Sequence, residues 1–123
     1  YFNNGSGTDT AISNYANGTI IGVAIDNENG QIHLSANGTY INSSDPTDNN
    51  PNALVTGFDT TIEQYLHFSL DTTSSQPSIE YNFGSPPYSI SSGNADANGY
   101  GNFEYSVPSG YYALNSKNLT EFG

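Results

Sequence analysis

Apolar and polar residues alternate along this chain with a period of two, the spacing of extended strands. Ile21, Val23 and Ile25 share one face of the first clear run, and Ile20, Gly22 and Ala24 share the other. Both faces are apolar, which predicts a central strand covered on both sides. Ile32 and Leu34 then alternate with Gln31, His33 and Ser35. That pattern predicts a strand with the aliphatic pair turned inward and His33 turned outward. The same period recurs in Leu66, Phe68 and Leu70, in Ile79, Tyr81 and Phe83, and in Phe103, Tyr105 and Val107. Shorter runs over residues 39–42, 53–56 and 111–114 predict edge strands. No segment sustains a helical period, so no helix is expected.

Between these runs lie segments rich in Gly, Pro, Asn, Asp and Ser, such as "NENG", "SSDPTDNNPN", "GSPP" and "SSGNADANGYG". Each residue type suits turns for its own physical reason. Many short strands joined by such turns predict an all-β fold, a sandwich or barrel. No repeat of solenoid length and no internal boundary interrupt the pattern, so residues 1–123 are read as one domain.

The stretch "GTIIGVAIDNENGQIHLSANG", residues 18–38, holds the strongest local signal. Asp26, Glu28 and Gly30 echo the first half of a calcium-binding loop. Such a loop needs a bidentate Glu at its twelfth position, and Asn37 stands there. A plain hairpin explains the cluster better. Asn29-Gly30 suits the positive φ of a tight turn, and Asp26 and Asn27 can bond their own backbone. If Ca²⁺ binds anywhere, Asp26 and Glu28 are the first candidates and Asp45 and Asp48, in the longest polar loop, the second; no other cofactor is expected. Asn37-Gly38 predicts a second turn.

Composition narrows the partners. Leu, Ile, Val and Phe make up roughly one fifth of the chain, which together with a net charge of −11 borders on the disordered range. Ten Tyr and six Phe restore apolar area, giving a folded domain with a thin core. A single basic residue, Lys117, cannot neutralise a row of phosphates, so nucleic-acid binding is not expected. An anionic membrane would repel the chain, and no apolar run approaches the about 18 residues of a membrane span. The acidity favours neutral partners such as glycans. There is no Cys and hence no disulfide framework. The chain begins at Tyr1 without an initiator Met, so a longer gene product is expected.

Catalytic patterns are missing. His33 and His67 stand without ligand partners at metal spacing. No nucleophile elbow and no phosphate loop occurs. Glu63, Glu80 and Glu104 would form a glycosidase pair only if the fold happened to bring two of them together. A non-enzymatic role is therefore expected. Binding is expected on loops over a rigid scaffold, at residues 42–52, 84–92 and 93–101. The residues singled out there are Asp45, Asp48, Tyr88, Asn94, Asp96 and Tyr100. For each Tyr the competing reading is that it fills the core. Sequons such as those at Asn17, Asn37, Asn42 and Asn118 occur about as often as chance gives.

Several blocks resemble one family. Residues 18–38 are similar to the SPRY-domain hairpin pattern G-D-x-I-G-V-x-L-D-x-D-x-G-x-L-x-F-x-x-N-G. Gly18, Ile21, Gly22, Val23, Asp26, Gly30, Ile32, Leu34, Asn37 and Gly38 fall in matching places. "LHFSL" resembles the following family strand, "IEYNFG" the "v-x-v-N-F-G" strand, and "VPSGYYALNSKNL" the ending "P-P-G-F-x-A-L-N-T-x-N-L" found in SPRY-like domains of bacteriophage virion proteins. Thr19, Glu28 and Leu34 depart from the pattern. The resemblance implies an antiparallel β-sandwich of the concanavalin A/SPRY-like jelly-roll type, with the family's N-terminal strands lying upstream or supplied by other chains. It implies a bacteriophage structural protein at the virion surface or otherwise extracellular, in a tail, fibre or capsid decoration. Its expected partners are other virion subunits or a homo-oligomer, and a host-surface glycan or protein. A second reading is a Ca²⁺-dependent carbohydrate-binding module of a secreted bacterial protein. A third is a purely architectural subunit with no ligand.

Overall fold

The computed structural model describes residues 2–3, 6–7, 15–49, 52–65 and 78–123. Its regular elements are mostly antiparallel strands with little helix, an all-β arrangement. The chain forms two compact units, Tyr1–Ile62 and Glu63–Gly123. The expected strand over residues 66–70, with His67, lies outside the described residues.

In the first unit, β1 (Phe2–Asn3) pairs with β2 (Ser6–Gly7). A separate four-stranded sheet is built on the predicted hairpin. β3 (Ile21–Asp26) and β4 (Gln31–Ala36) pair antiparallel from Ile21 opposite Ala36 to Asp26 opposite Gln31. Gly30 takes φ +63°, and a Cβ there would lie 2.7 Å from the Phe58 carbonyl oxygen. Glycine is therefore required by both conformation and space. The next corner is the predicted Asn37-Gly38, with φ of 47° and 79°. Two successive positive φ values make the mirror-image turn whose twist matches that of paired strands. It delivers β5 (Thr39–Tyr40) onto the far edge of β4, and β6 (Val55–Thr56) joins the same edge at Gln31 and Ile32.

β4 is thus the central strand. Among the described residues β3 pairs with β4 alone, which corrects the expected central place of β3. Burial also departs from expectation. Ile21, Val23 and Ile25 face the same side as Ile32, Leu34 and Ala36, since these stand directly opposite them. Leu34 and Val55 are buried there, but Ile21, Val23 and Ile32 are half-buried and Ile25 is 42% exposed. The opposite, more polar face is the better covered one. It carries Ala24, Gln31, His33 and Ser35, all buried, with His33 at 0% exposure. The outward placement expected for His33 is therefore overturned. The physical reason is the chain that follows β5: a short 3₁₀ turn, Ile41–Ser43, packs against β4, and Ser44 and Pro46 are buried just after it.

The second unit relies on loops. The expected strand over residues 79–83 is irregular, and Ile79, Tyr81 and Phe83 are 39%, 51% and 54% exposed instead of turned inward. The run over residues 103–107 contributes one bridge, Phe103 to Asn94. Residues 111–114 form no strand. Instead, an unexpected helix, α1 (Ser116–Phe122), follows. Asn115 caps it, its side-chain oxygen accepting the Asn118 N–H at 2.9 Å. Seven residues are too few for a 3.6 period to emerge, and so short a helix depends on its cap and its packing. Asn115→Ala is expected to cost about 1 kcal/mol, the usual worth of such a cap, measurable by denaturant titration.

Candidate functional site

Each residue singled out above has a definite place, and most are occupied in holding the backbone. Asp26 accepts the Asn29 N–H at 2.9 Å on one oxygen and the Asn29 side-chain amide at 2.7 Å on the other. These bonds, the side-chain one foremost, hold its carboxyl below the usual range. Both oxygens thus close the hairpin. Glu28 is exposed at the tip. Asp45 accepts both the backbone N–H and the hydroxyl of Thr47, at 2.8 and 2.7 Å, and these bonds lower its pKa. Asp59 repeats the arrangement with Thr61. Asp48 is exposed in the same loop as Asp45. Among the described residues no group of three or more His, Asp or Glu gathers where it could hold an ion.

The loop of residues 93–101 is expected to be a binding surface, but Asn94 and Asp96 serve the interior of the second unit. Asn94 exchanges backbone hydrogen bonds with Phe103, and its side-chain amide donates to the Phe103 and Glu104 carbonyls. Asp96 is buried at 7% exposure. Its Oδ1 accepts the N–H groups of Asn98 and Tyr100, and its Oδ2 accepts the Ala113 N–H and the Asn118 amide. Burial pushes the carboxyl pKa up, but these four donors outweigh it and hold the pKa below the ordinary value. One carboxylate therefore ties its own turn to positions 17 and 22 residues further on. Asn118 is buried with its amide on Asp96 and on the Ala113 carbonyl, so the sequon at Asn118 offers no accessible nitrogen.

Tyr100 is half-buried, its hydroxyl donating to the Glu121 carboxylate at 2.8 Å, which raises the phenol pKa. Lys117 sits 5.5 Å from the centre of the same ring, within cation–π range. Tyr100 thus clasps the loop to α1. Tyr88 is half-buried. Glu104 is half-buried and accepts bonds from Ser91 and Ser92. Glu80 is exposed.

Two surfaces that the sequence did not single out are partly exposed. The rings of Tyr81 and Phe83 lie parallel within 3°, with centres 6.3 Å apart and about half of each side chain in solvent. Asn82 between them is held by its amide on the Asn102 carbonyl and by the Gly84 N–H. A period-two pattern marks these rings as a pair on one side; it does not tell which side is wet. The second surface is a shallow groove of about 450 Å³ along α1, lined by Tyr112, Leu114, Leu119 and Phe122 above Asn98 and Asn118. Leu114, Leu119 and Phe122 are each more than 60% exposed.

Comparison with family models, with curated proteins and with solved structures found no match.

Proposed function

We propose that this chain is a non-enzymatic, SPRY-like β-sandwich domain at the surface of a bacteriophage virion, on a tail, fibre or capsid decoration. It binds a host-surface glycan or a neighbouring subunit, and takes no part in catalysis. The ordered blocks of resemblance support the origin. One observation supports binding: the parallel, half-exposed Tyr81 and Phe83 rings. Aromatic faces carry a negative quadrupole and a large apolar area, so they favour the polarised C–H face of a sugar ring. A neutral glycan also tolerates the net charge of −11, where a phosphorylated or membrane surface would not.

The test is glycan-array binding by the full-length virion protein, followed by calorimetry on the best ligand. Tyr81→Ala and Phe83→Ala are each expected to weaken binding about tenfold, the 1.4 kcal/mol scale of one lost aromatic contact. Binding that ignores both changes overturns the assignment of this surface. Failure of every glycan leaves the neighbouring-subunit contact as the function, visible in an assembly map.

The Ca²⁺-dependent carbohydrate-binding module shares the aromatic pair and differs in needing Asp26 and Glu28 as ligands. Asp26 already spends both oxygens on Asn29. Calcium titration separates the two readings, and a heat lost in Asp26→Asn favours the module.

A further inference from the structure

In the first unit, a histidine lies beneath a loop with nothing to bond. His33 has 0% exposure, and neither Nδ1 nor Nε2 has a hydrogen-bond partner among the described residues. It stands opposite Ala24 on the covered face of the sheet, flanked on its own strand by Gln31 and Ser35. The Tyr40 ring meets it edge-on at 6.5 Å. The chain from Ile41 to Asn49 closes over this face: Ser44 and Pro46 are buried, and the Gln31 amide donates to Asn49 at 2.8 Å. The cover is poorly satisfied. Gln31 Oε1 and Ser44 Oγ are buried and unpartnered as well.

We propose that His33 is an acid-operated latch: proton uptake by its imidazole lifts the 41–49 loop off the sheet. A neutral imidazole leaves one donor and one acceptor unpaired in this position. An imidazolium would leave two donors and a full charge, a far larger cost without water or a bonded carboxylate. Lifting the loop hydrates the charge and the two unpartnered oxygens together. Among the described residues, the titratable groups that face His33 are Asp26 at the end of β3, Asp45 in the loop and Tyr40 on β5; β6 brings only Thr56 to this face. Neither carboxylate bonds the imidazole, since Asp26 is held by Asn29 and Asp45 by Thr47.

Burial lowers the His33 pKa from its ordinary 6.5, and attraction to Asp26 and Asp45 offsets part of that. The open form therefore takes up a proton near pH 6.5 and the closed form only at lower pH. Closure is at full strength above pH 6.5 and weakens as pH falls below it. The opening constant then rises about tenfold per pH unit, until the pKa of the closed form is passed.

Hydrogen exchange followed by NMR between pH 7.5 and 5, corrected for intrinsic rates, tests the latch in the whole chain. The Ser44 and Thr47 amides are expected to open about tenfold more per unit below pH 6.5, while amides paired between β3 and β4 keep their protection. His33→Leu is expected to flatten that dependence. In a His67→Gln background the remaining imidazole is expected to titrate below 6.5, and Asp45→Asn to lower that titration and so carry the rise in loop opening on to lower pH, with its onset unchanged. Titration at or above 6.5 overturns the proposal. So does an unchanged pH profile in His33→Leu, or a rise in loop opening that ends at the same pH when Asp45→Asn lowers the titration.

Discussion

Asp96→Ala is expected to destabilise the Glu63–Gly123 unit by about 4 kcal/mol, the cost of leaving one side of a buried charged network unpaired. Four donors converge on this carboxylate: two backbone N–H groups from its own turn, the Ala113 N–H and the Asn118 amide. Each would be stranded in a site that lets in little water. A hydrogen bond to a charged partner is worth about 1.5–3 kcal/mol, and an unmade buried one costs the desolvation outright. Asp96→Asn is expected to do nearly as badly. Its amide keeps one acceptor but turns an N–H toward donors that also need an acceptor. Denaturant titration followed by near-ultraviolet circular dichroism reads both. The same geometry sets a pH limit. The Asp96 pKa lies below its ordinary 3.8, so its stabilisation is complete above that value and is lost as pH falls through the folded pKa. A chain in which Asp96→Ala melts like the native one would remove this carboxylate as the organiser of the unit.

How much of this could be read from the sequence differs between the two units, for physical reasons. The hairpin was legible because its signals are local. Gly30 and the Asn37-Gly38 pair sit where positive φ is needed, and the strands between them alternate at the period the pleat imposes. What alternation cannot fix is which face is covered. Both faces of β3 are apolar, and the aliphatic row of β4 looked like the inner one. The decision lay with residues 41–49, whose Pro46 and Ser44 press onto the His33 side. That is a contact between segments, and no short window of sequence contains it. The second unit was less legible for the same reason. Asp96 in a Gly- and Asn-rich loop looks like a hydrated acid until Ala113 and Asn118 are brought to it. α1 has seven residues, too few to show a helical period, and its cap Asn115 is evident only once the helix is seen. The inward row expected of Ile79, Tyr81 and Phe83 is not seen: residues 79–83 are irregular, and about half of the Tyr81 and Phe83 side chains is exposed.

His33→Leu is expected to raise the stability of the Tyr1–Ile62 unit at pH 7.5 by about 2 kcal/mol, against the usual direction of core substitutions. The imidazole is fully buried with neither nitrogen partnered among the described residues, so it carries a desolvation cost that no bond offsets there. Leu has a similar volume and no polar atom to desolvate, and its neighbours Ala24 and Tyr40 offer apolar surface. The edge contact with Tyr40 is lost, but such contacts are worth only about 0.5–1.5 kcal/mol. The gain is expected to grow as pH falls from 7 toward 5, because the native imidazole resists a proton that the unfolded chain accepts. Thermal unfolding of both proteins across that range gives the difference at each pH. A Leu variant that is less stable at pH 7.5 would mean that the imidazole finds a partner in solution. The buried polar face of the sheet would then be a satisfied network and not a strained one.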